Sequence, residues 1–340
     1  MSPESPDPGL NPAAEAARNA AGKALVPADP MEAVPAASWK DVRREGACIV
    51  ALGNFDGVHL GHRRILESLV EESRVSGLAP VLITFEPHPR YFFKPQEKPS
   101  LLSTPAEKLA LLREWPIEVI PLAFNQALAG LSAEDFIESF LKQRLGGKRF
   151  LLGHDHRFGK GTRGDAALIQ RHVQDPDRDV LILEPFQLEG EVVSSSAVRA
   201  HLEAARIEQA NRLLGRPFSY SGTVIRGDGR GKGLGFPTAN LDLGYPFKAL
   251  VSLGVYGGIA RVDGREIKAI ANIGKHPTFG GSALKIEIHL LDFDQDLYGR
   301  WVEFRLLFHV RPERKFASVD ELRCQVEKDI ASSRERLSNR

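Results

Sequence analysis

Short apolar runs alternate with helical patterns between residues 47 and 183 of this 340-residue chain. Apolar runs bounded by turns are typical of buried strands, and their alternation with helices indicates parallel strands covered on both faces. We therefore predict an α/β domain with a parallel, Rossmann-like sheet. The predicted strands cover 47–52, 80–85, 117–121, 149–152 and 179–183. The predicted helices cover about 60–76, a segment beginning at 105, 132–145 and 165–173.

The pattern changes after about residue 190. A helical stretch covers 196–214, and five short β runs follow, most of them separated by turns that contain Gly or Asp. Antiparallel strands at this spacing predict a small closed barrel. Ser318, with Glu321 three residues later, predicts the start of a terminal helix. The five β runs cover 219–226, 254–262, 266–273, 284–292 and 301–310.

The chain therefore divides into three parts. Residues 1–42 are rich in Ala and Pro and predict a disordered tail. The α/β domain is expected over 43–204 and the barrel domain over 205–338, with the boundary between 205 and 216.

Composition excludes several classes of protein. The 45 Lys and Arg against 44 Asp and Glu leave no basic excess for nucleic-acid binding. No apolar run approaches the roughly 20 residues of a membrane span. The two cysteines, Cys48 and Cys324, are far apart, which argues against a disulfide framework and is consistent with the cytoplasm. We expect small-molecule partners; the oligomeric state does not follow from the sequence.

Two histidines stand where the first strand turns into a helix, in "GNFDGVHLGH", residues 53–62. Ligands bind at the carboxyl ends of parallel strands, and free N–H groups at a helix N-terminus attract phosphate. His59 and His62 can add donors, and Gly61 can let a phosphate approach the backbone. A second phosphate-type segment, "SSSAVR", ends at Arg199 and contributes a cation.

A structural explanation of the same pair is that one histidine caps the helix and the other lies on the surface. Short motifs often arise by chance, so the pair alone favours this explanation. The strand, the turn, the glycines and the "SSSAVR" segment together favour phosphate binding. A zinc pair is disfavoured, because helical zinc ligands usually stand four residues apart. The pattern resembles the H-x-G-H nucleotidyltransferases, which transfer AMP from ATP and release pyrophosphate.

A glycine-rich loop stands near the start of the second half, in "GTVIRGDGRGKGLGFPTAN", residues 222–240. Its N–H groups could surround phosphates, although the Walker A sequence is missing. Thr238 and Asn240 point to the same side of an extended segment, where two neutral oxygens could bind Mg²⁺. A flexible hairpin with a polar turn explains the composition equally well.

Glu287 shares one strand face with Lys285 and His289, while apolar residues occupy the other face. The pattern alone favours a solvated face. A glutamate that faces a phosphate loop would instead suit a general base for a hydroxyl group.

Taken together, the motifs of both halves resemble the bacterial bifunctional riboflavin kinase/FMN adenylyltransferases, also called bifunctional FAD synthetases. The resemblance runs from about residue 49 to 337. It includes "GNFDGVHLGH", "TFEPHPR", "GHDHRFGKGTRGD", "SSSAVR", "GKGLGFPTANL", "GVYGG", "NIGKHPTFGG", "IEIHLLDFDQDLYG" and "RPERKF". It implies an N-terminal domain that adenylylates FMN to FAD and a C-terminal domain that phosphorylates riboflavin to FMN, with ATP as co-substrate.

The resemblance also implies roles for individual residues. His59, His62 and Arg199 would stabilise the ATP phosphates, and Glu287 would be the kinase base. Implied metal ligands for Mg²⁺ are Thr238 and Asn240. Implied ATP or phosphate contacts are Gly53, Phe55, Gly61, Ser195, Gly231, Lys232 and Gly233. Implied flavin contacts are Asn125, Asp155, Arg311 and Phe316.

Four positions depart from the pattern of the family. His156 stands where Phe is common, and Asn125 replaces a frequent Asp. Ser196 and Lys232 replace Thr and Arg. The first two could change affinity for flavin or ATP. Three alternatives remain: only one activity is retained, the α/β domain adenylylates another substrate, or the chain is a flavin-binding regulator.

Overall fold

The computed structural model describes residues 35–94, 100–227, 235–278 and 281–338. Five parallel strands form the N-terminal sheet in the order β3-β2-β1-β4-β5, which confirms the predicted α/β domain. After β1 the chain adds β2 and β3 on one side of β1, and then β4 and β5 on the other side. The topological switch point of the sheet therefore lies between β1 and β4. The strands are β1 (Cys48–Leu52), β2 (Ala79–Glu86), β3 (Glu118–Ala123), β4 (Gly147–Gly153) and β5 (Val180–Leu183).

Helices cover both faces of this sheet. The longest, α1, begins after His59 and ends at Gly77, whose left-handed backbone suits glycine. The segment predicted as one regular helix over 132–145 begins as α5 and continues as a wider π-helix over Phe136–Arg144. The helices of this part are α1 (Leu60–Ser76), α2 (Pro89–Phe93), α3 (Pro105–Arg113), α4 (Gln126–Ala129), α5 (Ala133–Asp135), α6 (Ala166–Gln170) and α7 (Pro176–Asp179).

Residues 35–42, which the sequence analysis assigned to the tail, belong to the folded domain. Ala37 pairs with β3: its N–H donates to Pro121 O at 3.0 Å, and its carbonyl accepts from Ala123 N at 2.9 Å. The ring of Trp39 packs edge-on against Phe140, with 6.4 Å between centroids. The predicted boundary at residue 42 is therefore wrong for these residues, because backbone pairing and one aromatic side chain hold a segment of low hydrophobicity.

The C-terminal strands close into an antiparallel barrel in the order β10-β11-β12-β9-β8-β13, as predicted. The sequence indicated five of its six strands. The sixth, β9, has only four residues and was interpreted as an extended part of the glycine-rich loop. The strands are β8 (Phe218–Ile225), β9 (Ala239–Asp242), β10 (Gly254–Val262), β11 (Arg265–Thr278), β12 (Gly281–Leu290) and β13 (Trp301–Pro312). In the sequence, a small hairpin, β6 (Gln187–Leu188) with β7 (Glu191–Val192), separates the parallel sheet from the barrel.

Two helices, rather than one, join the sheet to the barrel. They are α8 (Ser195–Glu203) and α9 (Ile207–Leu214), separated at Ala205, whose φ is 57°. Their buried apolar side chains belong to a hydrophobic cluster that continues into the core of the barrel and also includes Leu102 and Val193. The terminal helix α10 (Val319–Ser338) begins as expected, with Ser318 Oγ accepting from Glu321 N at 3.1 Å.

Candidate active sites

The turn between β1 and α1 places His59 and His62 at the switch point of the sheet. His59 is the N-cap of α1, and its Nδ1 accepts from His62 N at 3.2 Å. The two imidazole rings stack with 3.6 Å between centroids. Because Nδ1 is an acceptor, the proton of the neutral His59 ring is on Nε2, where it can be donated to a ligand. His59 therefore both caps the helix and offers a donor.

Burial keeps both histidines neutral. It is the main cause that lowers the pKa of His59 to about 4, with smaller contributions from Arg216 and Arg199. Burial likewise holds the pKa of His62 well below its ordinary value, and the neighbouring His59 lowers it further. At pH 7 the pair provides N–H dipoles, and the positive charge must come from arginine.

A cavity of about 320 Å³ opens beside this turn, at the carboxyl ends of β1 and β4. It brings together residues that lie up to 147 positions apart in the sequence, from Leu52 to Arg199. The predicted residues among its lining are Gly53, Phe55, His62, Asp155, Ser195 and Arg199. His156, expected to influence affinity for flavin or ATP, also lines it. Lining residues to which the sequence analysis gave no role include Asn54, Asp56, His88, Arg90 and Ser100.

Asp56 is the candidate site residue that sequence reasoning missed most clearly. Its side chain is buried, and its Oδ2 lies 2.8 Å from Nη1 of Arg199. Its Oδ1 accepts from the backbone N–H groups of Leu102 and Ser103 at 2.8 and 3.2 Å. Burial raises the pKa of Asp56, and the charge of Arg199 opposes that shift. The only signal in the sequence was an acidic residue between a strand and an H-x-G-H motif.

Two further histidines that line the cavity, His88 and His156, are also neutral. Burial lowers the pKa of both His88 and His156 to about 4. Nε2 of His156 is buried without a hydrogen-bond partner. The cavity thus combines neutral imidazoles with the cations of Arg90 and Arg199, a composition suited to a polyanion.

Two predicted residues have different local roles. Asn125 is exposed and caps α4, because its Oδ1 accepts from Leu128 N at 3.1 Å. In the part of the chain that the structure describes, Asn125 does not line the cavity. A Cβ at Gly61 would approach Val193 O to 3.1 Å and the ring of His59 to 3.2 Å. A side chain at this position would be tight against both groups, so packing by itself favours glycine here.

The barrel holds the second set of predicted residues on one outer face. Asn240 of β9 pairs directly with Glu287 of β12, and Glu287 pairs in turn with Asn272 of β11. Ala239, between Thr238 and Asn240, is buried, so the two predicted metal ligands share the opposite side. A Cβ at Gly227 would collide with the side-chain amide of Asn240, so the end of β8 approaches this residue closely. Gly231, Lys232 and Gly233 lie outside the described residues.

Charged neighbours surround Glu287. Lys285 Nζ lies 3.1 Å from its Oε1, and both side chains are about one-quarter exposed. His289, two residues further on the same face, interacts through Nδ1 with Pro237 O at 2.8 Å. The end of the glycine-rich loop therefore docks on the strand that carries Glu287. Asn272 was not singled out from the sequence, since an amide in a strand carries no motif of its own.

Arg311 and Phe316 lie at the other end of this row of paired residues. Arg311 pairs with Val255 of β10, which pairs with Asn272. Nε of Arg311 donates to both carboxylate oxygens of buried Asp329 in α10, at 2.9 and 3.1 Å. Its guanidinium lies 5.6 Å from the ring centroid of Phe316. Asp329 thus fixes the orientation of Arg311.

The parallel sheet with its H-x-G-H turn defines an α/β nucleotidyltransferase domain, joined here to a small antiparallel barrel. A family model described as FAD synthetase matches residues 41–197, and one described as riboflavin kinase matches residues 214–337. The chain belongs to the family of bifunctional riboflavin kinase/FMN adenylyltransferases.

Curated relatives carry that same description. The protein of Escherichia coli (strain K12) is 38% identical over 292 residues, which cover 85% of this chain and 92% of that protein. The protein of Bacillus subtilis (strain 168) is 34% identical, covering 86% and 93%. A crystal structure described as a macrolide-efflux protein from Streptococcus pneumoniae has a TM-score of 0.79 at 30% identity, covering 88% of this chain and 98% of that one. Among the helices of the described residues, none combines the length and apolar composition needed to span a membrane.

Proposed function

We propose that the chain makes FMN from riboflavin at the barrel site and FAD from FMN at the cavity beside His59. In the second reaction a phosphate oxygen of FMN attacks the α-phosphorus of ATP, and the bond to pyrophosphate breaks. The single observation that carries this assignment is the cavity in which His62, Ser195 and Arg199 converge at the N-terminus of α1. FMN is already an anion, so the step needs alignment and charge stabilisation rather than a protein nucleophile.

Each polar group at the cavity has a distinct task. His62 lines the cavity, whereas His59, stacked on it, does not. His59 would donate its Nε2 proton to a phosphate bound beside the pair, and Arg199, oriented by Asp56, would place positive charge there. Ser195 Oγ donates to Asp56 O at 3.0 Å, which holds the start of α8 next to the turn. Asp155, with an exposed carboxylate at the mouth of the cavity, would contact the flavin or a metal ion; Gly53 and Phe55 would border the ATP.

At the barrel site Glu287 would accept the proton of the ribityl 5′-hydroxyl as that oxygen attacks the γ-phosphorus of ATP, and ADP would leave. Lys285 holds one oxygen of this carboxylate, which leaves the other for the hydroxyl. Arg311 and Phe316 would contact the flavin. The loop that contains Gly231, Lys232 and Gly233 would surround the phosphates.

Mg²⁺ fits the residues beside Glu287. Thr238 and Asn240 offer neutral oxygens on one side of an extended segment, the ligand type that Mg²⁺ prefers when it arrives with phosphates. The described residues contain no cluster of three or more His, Cys, Asp or Glu side chains able to hold a metal, consistent with an ion bound largely by the nucleotide. When bound, the ion would neutralise charge on the phosphates.

We also propose that the boundary between the two catalytic units falls at 205–216, that small molecules rather than nucleic acids are the ligands, and that the chain works in the cytoplasm. The break at Ala205 between α8 and α9 supports the boundary. The free cysteines Cys48 and Cys324 support a reducing compartment.

Chromatographic separation of flavins tests the proposal. The purified chain is incubated with riboflavin, ATP and Mg²⁺, and separately with FMN, ATP and Mg²⁺. We expect FMN and then FAD in the first reaction, and FAD with pyrophosphate in the second. FMN without FAD would exclude the adenylyl transfer, and no product in either reaction would leave a flavin-binding protein.

A further inference from the structure

Arg216 reaches from the barrel side of the molecule to the turn that carries His59. It lies between α9 and β8, outside the span matched by the FAD synthetase family model. Its Nη2 donates to Gly57 O at 2.7 Å, and its Nη1 donates to Val58 O at 3.3 Å. Burial lowers its pKa to about 10, so the guanidinium remains charged at neutral pH.

The backbone held by Arg216 is strained. Val58 has a φ of 40°, a left-handed conformation that a β-branched residue rarely adopts, and Phe55 has a φ of 52°. Such a conformation persists only where the surroundings determine it strongly. The carbonyls of Gly57 and Val58 belong to the two peptide groups that flank the α-carbon of Val58. Arg216 therefore holds both sides of the strained residue.

The strained residue immediately precedes His59. The Val58 carbonyl, which accepts from Arg216, belongs to the same peptide group as the N–H of His59. The orientation of this peptide group therefore determines where the His59 side chain begins. Because His59 both caps α1 and stacks on His62, a rotation of this peptide group would move the two histidines together.

We propose that Arg216 is a positioning residue for adenylyl transfer: through the carbonyls of Gly57 and Val58 it holds His59, and through His59 it holds His62, which lines the cavity. The proposal rests on the proposed function of that cavity. The N-terminal site is then complete only when the linker of the barrel domain is in place, although Arg216 itself touches no substrate.

The two domains should remain joined when Arg216 is changed, because other contacts link them. Glu107 accepts from Ser221 Oγ at 3.0 Å and pairs with Lys248. The backbone of Leu101 pairs with the segment that contains Lys248. A variant at position 216 should therefore fold and change the turn alone.

Three variants test the proposal. Arg216→Met keeps the length of the side chain without its donors, and Arg216→Lys keeps a charge that can reach one carbonyl. Arg305→Met is the matched control, since the salt-bridge partners of Arg305 in the described part of the chain, Glu266 and Glu303, both belong to the barrel. For Arg216→Met we expect kcat for FAD formation from FMN to fall by about 100-fold, since small displacements from far groups have such effects. KM values and riboflavin phosphorylation should change little, and Arg216→Lys should be intermediate.

Hydrogen exchange separates failure of this proposal from failure of the proposed function. We expect faster exchange in peptides that cover 53–62 for Arg216→Met, and unchanged exchange in the barrel. Normal kcat with normal exchange would overturn the positioning role. So would a parallel loss of both activities and of melting temperature, which indicates a purely structural residue. If the wild-type chain forms no FAD but Arg216→Met still exchanges faster over 53–62, Arg216 holds the turn as proposed. In that case the proposed function of the cavity is rejected instead.

Discussion

Arg199 and Asp56 form an ion pair, with 2.8 Å between Nη1 and Oδ2, across a gap of 143 residues in the sequence. The carboxylate is buried, whereas about one-fifth of the arginine side chain is exposed. Asp56 thereby orients the cation toward the cavity and ties it to the segment of Leu102 and Ser103. This pair is the charged centre of the proposed adenylylation site.

We predict that Asp56→Asn lowers kcat for FAD formation by about 10- to 100-fold. A hydrogen bond to a charged group contributes about 1.5–3 kcal/mol, and each ~1.4 kcal/mol corresponds to a tenfold change in rate. The amide keeps one acceptor for Leu102 N but cannot pair as an anion with Arg199. Steady-state assays of both half-reactions provide the measurement, and FMN formation should be unchanged. Asp263→Asn, which removes an exposed pair with Arg300, is the control.

Much of this fold could be predicted because its elements carry repeated local signals. Each of the five parallel strands contains a short apolar run, and turns separate the longer barrel strands. Signals failed where a few residues depend on distant partners. β9 is too short to show a period, Ala37 pairs with β3 through backbone alone, and the π-helix over Phe136–Arg144 has an ordinary helical sequence.

The candidate sites were predictable to the extent that motifs concentrate them. His59, His62 and Arg199 stand in short recognisable segments. Asp56 and Arg216 act through the chain's long-range contacts, and no spacing rule connects position 216 to position 57. Asn125 shows the opposite case, because a residue with a plausible ligand-binding side chain is used to cap a helix.

His59 combines two roles that substitutions can separate. We predict that His59→Asn lowers FAD formation by about 10²–10³-fold, the usual effect of losing one donor to a developing charge, because the shorter side chain does not carry its Nδ2 donor out to the position of the imidazole Nε2. Asn still accepts from a backbone N–H, so α1 remains capped. His59→Ala loses the cap as well, at a further cost of about 1 kcal/mol in stability. Melting curves should distinguish the two variants, and equal FAD output from wild type and His59→Asn would exclude the donor role.

The double variant His59→Ala with His62→Ala should form no measurable FAD yet phosphorylate riboflavin normally, because both rings belong to the N-terminal site. Product analysis after incubation with riboflavin and ATP is sufficient. FAD output near that of wild type would exclude any phosphate role for the pair.

Two truncations of the N-terminus should differ in stability, because only the longer one removes Ala37 and Trp39 with their contacts. We predict that deleting residues 1–40 lowers the free energy of unfolding by about 2 kcal/mol, the scale of burying one large side chain. The melting temperature should fall by roughly 5 °C. Deleting residues 1–34 retains both contacts and should change neither the melting temperature nor either activity. Calorimetry of the three chains is the measurement, and equal melting temperatures would contradict the role of the 35–42 segment.

Acid should destabilise the N-terminal domain through its neutral histidines. His59, His88 and His156 have a pKa of about 4 instead of the ordinary 6.5. Between these values the unfolded chain binds protons that the folded chain does not, so the free energy of unfolding falls as the pH falls. We predict that His156→Phe makes this fall shallower, and that its melting temperature gains more at pH 5 than at pH 7. The exposed neighbour His154, changed to Phe, is the control.

A substitution at Glu287 tests whether its strand face takes part in catalysis or is merely solvated. Its pairing with Asn240 and its contact with Lys285 place the carboxylate beside the end of the glycine-rich loop. We predict that Glu287→Gln lowers riboflavin phosphorylation by about 10²–10⁴-fold, because the amide cannot accept the hydroxyl proton. Binding of riboflavin and ATP, measured by calorimetry, should persist.

The matched control for this change is Glu303→Gln. Glu303 pairs with Arg305 at 3.1 Å, two residues away on β13, just as Glu287 pairs with Lys285 at 3.1 Å on β12. If Glu287 contributed only an ion pair on the barrel surface, the two variants would have the same kinase activity. A base requires instead that only Glu287→Gln loses kinase activity, while both variants still convert supplied FMN to FAD, since that reaction uses the other domain and an ionised phosphate. Normal phosphorylation by Glu287→Gln would remove this residue from the mechanism.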